Sequence, residues 1–239
     1  MKTRTIATTI ALASATVASA GIVDMQYISM GPGAEVQLIE GMSSRDIFVG
    51  QLEHEISNAL GADAALNGTH LTFCVDITQF VSASEPRDYY TEDIENMPDA
   101  PGIAPMGMMK ADAIRALYSS ASSTLAAGSL TDAYAAAFQI IVYEIVDDFD
   151  GSAASIDVSA GYIQATDVGG GALDGDILAA LSALTTDMMT ALGNGEGSYA
   201  GVIGLANATH QDQLVFVPAP GALALLGAGG FMASRRRQR

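Results

Sequence analysis

The chain has 239 residues, with 27 acidic against 10 basic side chains and a formal charge of −17 at pH 7. That excess repels phosphate, so nucleic acid and anionic lipid surfaces are excluded as natural partners. A single cysteine, Cys74, rules out an intramolecular disulfide framework.

In chain order, Lys2 and Arg4 open a basic segment, residues 6–17 form an apolar stretch, and Ala18-Ser19-Ala20 supplies small residues for cleavage. These are the three parts of an export signal, and residues 1–20 are expected to be a cleavable signal peptide. Between Asp24 and Asp212, only Arg45, Arg87, Lys110 and Arg115 offset all 27 acidic residues. What remains once both ends are set aside, residues 21–216, is long enough for one domain with its own core or two small ones.

Residues 47–56 alternate imperfectly and read as a strand, with a short helix as the alternative. In residues 70–81, Leu71, Phe73, Val75 and Ile77 alternate with Thr72, Cys74, Asp76 and Thr78, which predicts a strand with Cys74 on its polar face. Pro86, Pro98, Pro101 and Pro105 make residues 85–107 an expected irregular loop. A helix is expected from Met108 to about Ala127, ended by Gly128, and Ser129 with Asp132 resembles a capping box for the next. That second helix carries Phe138, Ile141, Val142 and Ile145 as an apolar stripe, with Gln139 and Tyr143 four residues apart on one face. Residues 155–167 read as a strand pair, 173–192 as a third helix, and 213–217 as a last strand. Strands flanking a helical block predict an α+β domain: a sandwich- or barrel-like strand scaffold with inserted helices.

No HExxH, GxSxG or CxxC pattern occurs, and the histidines are His54, His70 and His210 alone. Turnover by a metalloprotease or serine hydrolase is therefore not expected, and the chain is not read as an enzyme. Two acidic loops, one with Asp147, Asp148, Asp150 and Asp157 and the other with Asp167, Asp174 and Asp176, are oxygen-rich but lack EF-hand spacing. They read as solvated loops, with Ca²⁺ as the weaker alternative; no other cofactor is expected.

After Val217-Pro218-Ala219-Pro220 the chain is apolar from Gly221 to Ala233 and then carries Arg235, Arg236 and Arg237. An all-round apolar run before an arginine cluster suits a membrane-spanning tail with a cytoplasmic end. The tripartite tail resembles the PEP-CTERM sorting signal, with Ala219 where that family has Glu. The resemblance implies an exosortase-type processing enzyme and a precursor tethered to the inner membrane through residues 217–239. Delivery to the outer surface or extracellular matrix would follow. A plain tail anchor is the alternative.

Cys74 and Gln139 carry a second resemblance. "FCVD" at 73–76 and "FQIIVYEIV" at 138–146, with "VGQLEH" upstream and "PMGMMKADAIRALY" between, resemble the thioester-domain family of bacterial surface proteins. The similarity extends over roughly residues 45–217. It implies an internal thioester between Cys74 and Gln139, supported by Asp76 and Tyr143, that acylates a surface amine or a polysaccharide hydroxyl. Tyr143 stands where the family usually has Trp. The residues themselves leave two readings open: this covalent adhesin or cross-linker, or a non-catalytic acidic matrix protein with Cys74 merely buried. Asp76 is either an orienting group or a solvated strand residue.

Overall fold

The structure is a computed structural model and describes residues 21–81, 85–128, 130–199 and 201–217. The expected signal peptide, residues 218–239 with the sorting-signal residues Pro218, Ala219, Pro220, Arg235, Arg236 and Arg237, and the capping residue Ser129 lie outside them.

Among the described residues, seven antiparallel strands and three α-helices make an α+β domain. β1 (Ile22–Glu40) and β2 (Ser43–Ser57) form a long hairpin, followed by β3 (Gly68–Cys74) and β4 (Arg87–Glu92). Helices α1 (Gly107–Ala127) and α2 (Asp132–Asp147) come next, then β5 (Ile163–Thr166), α3 (Gly175–Gly193), β6 (Val202–Ala206) and β7 (Gln213–Phe216). The pairings β1–β2, β2–β3, β3–β7, β7–β6, β6–β4 and β4–β1 close a six-stranded ring. β5 adds to the far half of β1. Closure removes the edges that open sheets must otherwise protect.

β1 makes the ring possible because it serves two sets of neighbours. Its first residues, Ile22–Met25, pair with β4, and its last, Gln37–Glu40, pair with β5. The register slips between Met30 and Gly33, where Pro32 sits, and a bulge there bends the strand. At Gly33 a Cβ would lie 2.5 Å from the Val49 carbonyl oxygen, so only glycine lets β2 approach this closely.

Two cores result. Val23, Met25, Ile56, Leu66, Tyr89, Leu205 and Val215 fill the ring. Outside it, Val36, Leu38, Val49, Phe73 and Leu214 meet the helices. Every residue of α2 from Ala135 to Ile145 is buried, because α2 lies between the β1–β2 face and α3, with α1 alongside. The expected one-sided stripe is thus corrected: the remaining faces, which carry Gln139, Ile140, Tyr143 and Glu144 besides three alanines, are covered as well.

Gly128 ends α1 in the left-handed conformation, as expected, and the Thr131 hydroxyl accepts from Tyr134 N–H to cap α2. The long loop expected at 85–107 contains β4, whose polar sequence buries only Tyr89 deeply. The expected strand pair at 155–167 is a single strand, β5. β3 stops at Cys74 and does not run on to 81. Asp76 Oδ1 accepts from the N–H and hydroxyl of Thr78, both at 2.7 Å, and turns the chain aside. β1 and β6 have no counterpart among the expected elements.

Glu144 is wholly buried on α2, and the Asp157 main-chain N–H offers its carboxylate only partial compensation. Burial, then the nearby Asp148, pushes it up to about 8; Asp212 is raised to about 7 and His54 lowered to about 4, both chiefly by burial. A carboxylate whose folded pKa exceeds its unfolded one loses stability as pH rises between the two values. His54 opposes this only below its ordinary value of 6.5, so stability is expected to fall from pH 6.5 to 8. Thermal melts across that interval check it, and Glu144→Gln should flatten most of the slope.

Candidate functional site

The site forms where β3 loses its neighbour. β2 pairs with β3 only as far as Leu52 opposite Thr72, so the main-chain groups of Cys74 need partners from elsewhere. Gln139 supplies both: Cys74 N–H donates to its Oε1 at 2.8 Å, and its Nε2 donates to the Cys74 carbonyl at 2.7 Å. The two residues are 65 apart in sequence. Their preceding residues hold the same junction, for the Phe73 and Phe138 rings lie 4.4 Å apart between centroids. Tyr118 meets Phe138 edge-on at 5.0 Å, completing an aromatic cluster behind the clamp.

Cys74 lies on the same strand face as Thr72, as the alternation predicts, but that face is the inside of the ring. Thr72 is fully buried and Cys74 is 6% exposed, whereas Leu71 on the alternate face is 36% exposed. Polar side chains line the inner wall here, so the polar face of β3 is not a solvent face. The Cys74 thiol donates to Gln211 Oε1 at 3.0 Å and accepts from Gln213 Nε2 at 3.5 Å. Burial pushes the thiol up to about 12, while hydrogen bonds from Gln213 and Tyr143 draw it partly back.

The other expected residues gather at the same place. Tyr143, one turn beyond Gln139, is 2% exposed and reaches the sulfur with its hydroxyl. Burial and the neighbouring thiol hold that phenol well above its ordinary range. Asp76, two residues on, is 2% exposed, so it is not a solvated strand residue. One of its oxygens fixes the turn at Thr78 and the other, Oδ2, has no partner. Beside the turn opens a cleft of about 290 Å³ whose lining includes Glu40, Asp76, Ile77, Asp147 and Tyr162. Val217 follows β7 and donates its N–H to the Gly201 carbonyl, far from any chemistry of its own.

Gln211, Gln213, Thr72 and His54 are neighbours that no motif announced. Thr72 shares the face of Cys74 on β3, whereas His54, Gln211 and Gln213 lie in segments that pair with or face β3 only once the ring closes. A polar Gln-x-Gln leading into the last strand was the only trace of Gln211 and Gln213 in the sequence.

The acidic loops serve the backbone. Asp150 accepts from Ser152, Asp157 from Ser159, and Asp174 caps α3 through Asp176 and Ile177 N–H groups. Asp148 accepts from Tyr162 and Ile163 N–H and so anchors β5. Lys110 Nζ donates to the Val146 and Asp147 carbonyls at the negative end of α2. Among the described residues no three carboxylate, imidazole or thiol groups converge as a metal site would require.

Comparisons with protein-family models, curated proteins and solved structures find no match to this chain. Among the described residues no helix is long and apolar enough to cross a membrane.

Removing the clamp strands a buried N–H and a buried C=O. Gln139→Leu is therefore expected to lower stability by about 2–6 kcal/mol, at roughly 1–3 per orphaned group. Urea denaturation midpoints measure it, and a loss under about 0.5 kcal/mol, the range of an ordinary surface change, would mean that the clamp is dispensable.

Proposed function

We propose that the chain is an exported surface or matrix protein whose domain acts once, through an internal Cys74–Gln139 thioester, as a covalent adhesin or cross-linker. The observation that carries this reading is the clamp: a glutamine amide held against a cysteine in a pocket that excludes water. The hydrogen bonds also suit the chemistry. In forming the bond, Cys74 Sγ adds to Gln139 Cδ, and the charge that develops on Oε1 meets the Cys74 N–H already aimed at it. The Cδ–Nε2 bond then breaks, the thiol proton passes to the nitrogen, and ammonia leaves. A buried thiol near 12 does not supply free thiolate at neutral pH, so positioning must provide most of the acceleration. An amine or hydroxyl of the acceptor, on a protein surface or a polysaccharide, later attacks the thioester carbonyl and releases the thiol. Tyr143 in place of Trp provides the aromatic wall and adds a hydroxyl at the sulfur.

Sorting completes the proposal. Residues 1–20 would direct export. Residues 217–239 would tether the precursor to the inner membrane until an exosortase-type enzyme releases it to the outer surface or matrix.

A second reading has its own observation. The Gln139 amide is already satisfied by the main chain and the thiol is inert in its burial, which is what a non-catalytic acidic matrix protein needs. Ca²⁺ binding by its loops belongs to that reading and lacks a converging ligand set among the described residues.

Intact mass separates the two. The thioester protein is expected one ammonia lighter than its sequence, and a small amine should restore mass as an adduct at Gln139. Full mass with a titratable thiol overturns the thioester. Deleting residues 217–239 is expected to abolish surface retention, measured by cell fractionation; unchanged retention would exclude the sorting signal.

A further inference from the structure

The inside of the ring holds a chain of polar side chains that ends on the reacting sulfur. His54 Nδ1 lies 3.0 Å from Thr72 Oγ1, Thr72 Oγ1 lies 2.8 Å from Gln213 Oε1, and Gln213 Nε2 lies 3.5 Å from Cys74 Sγ. His54, Thr72 and Gln213 are each at most 1% exposed. A core of this position would ordinarily be apolar, because every buried polar group demands a partner.

The direction of each bond follows from neighbours outside the chain. Gln213 Nε2 also lies 3.3 Å from the Gln211 main-chain carbonyl, which accepts only, so the amide nitrogen must be on that side. Its oxygen therefore faces Thr72, whose one hydroxyl proton is spent on it. His54 must then donate from Nδ1, which sets its tautomer; burial keeps the ring neutral at pH 7. On the far side of the sulfur, Gln211 Nε2 donates to the Asp76 carbonyl at 2.6 Å, which turns Gln211 Oε1 toward Cys74. The thiol donates to Gln211 and accepts from Gln213, with the Tyr143 hydroxyl as a further donor to the sulfur.

We infer that Gln213, held by Thr72 and His54, is a positioning residue for thioester formation, and that the chain orients the Cys74 thiol for attack on Gln139. The inference rests on the thioester reading above. An N–H at the sulfur, with the Tyr143 hydroxyl beside it, stabilises negative charge as the S–H proton departs, and the lone pair that this departure frees is the one that attacks the Gln139 amide carbon. The atoms balance as before: S–Cδ forms, Cδ–Nε2 breaks, and the thiol proton leaves on ammonia. Gln211 and Gln213 are not consumed.

Thr72 gives the decisive test, because packing and hydrogen bonding predict opposite orders. Valine matches threonine in shape without the hydroxyl; serine keeps the hydroxyl and loses a methyl. The full chain is made by cell-free synthesis, and loss of ammonia is followed by intact mass with time. Thr72→Ser is expected to stay near the wild-type rate, and Thr72→Val to be about tenfold slower, the value of one hydrogen bond at the transition state. Gln213→Met should be at least as slow, and keeps the test open if Thr72→Val fails to fold. Valine as fast as wild type with serine slower, or Gln213→Met at the wild-type rate, overturns the inference and leaves the thioester standing. Wild-type protein at full mass overturns both. A mass loss that survives Gln139→Leu but vanishes in Gln211→Leu would make Gln211 the acyl partner, and also overturns the inference.

Discussion

The fold turns on one unmet need: the main-chain N–H and C=O of Cys74, buried at the end of β3 after β2 has ceased to pair with it. Buried main-chain groups must find partners, and here only a side chain can reach. Gln139 meets both groups at once, which requires α2 to pass the ring at one height and rotation. The Phe73 and Phe138 rings, tilted against each other, make that approach favourable in apolar terms, so the polar clamp and the aromatic contact select the same geometry. From this follows the position of α2 against the β1–β2 face, and with it the layering of α3 and α1 over the helix.

The electrostatics divide cleanly between surface and site. The exterior is strongly acidic, and several of its carboxylates, such as those of Asp150, Asp157 and Asp174, serve turns and helix caps. The site around Cys74 relies on neutral hydrogen bonds, from three glutamines, a threonine, a tyrosine and an uncharged histidine. That choice suits a reaction between two neutral groups. The acidic neighbours Asp76 and Asp212 are buried there too, and main-chain N–H groups take up part of their desolvation, those of Thr78 for Asp76 and of Asp99 and Asn207 for Asp212. In the helical layer Glu144 is raised by burial and by the nearby Asp148.

Legibility from sequence varied with how local each cause was. α1 and α3 are readable because their periodicity, Gly128 and Asp174 act within a few residues. β2, β3 and β7 are readable by their apolar runs. β1 was not, since Gly31-Pro32-Gly33 looks like a break and becomes a bulge only when β2 lies beside it. β4 was not, since its polar residues become a strand only by bridging β1 and β6. The phase of Cys74 on β3 was readable, but its environment was not. Alternation tells which residues share a face, and closure of the ring decides whether that face is wet.

By itself, then, the sequence determined the α+β class, the charge, the solitary thiol and the shared helical face of Gln139 and Tyr143. Those depend on composition and on contacts a few residues apart. The pairing of Cys74 with Gln139 was proposed there by resemblance, and spacing alone left it open. Only the tertiary structure placed Gln139 on the Cys74 main chain, Gln211 and Gln213 at the sulfur, and His54 and Thr72 behind them. These groups lie up to 139 residues from Cys74. No local rule spans that distance; a closed ring of strands does, because each strand's register is set by its two neighbours and the last pairing fixes the first.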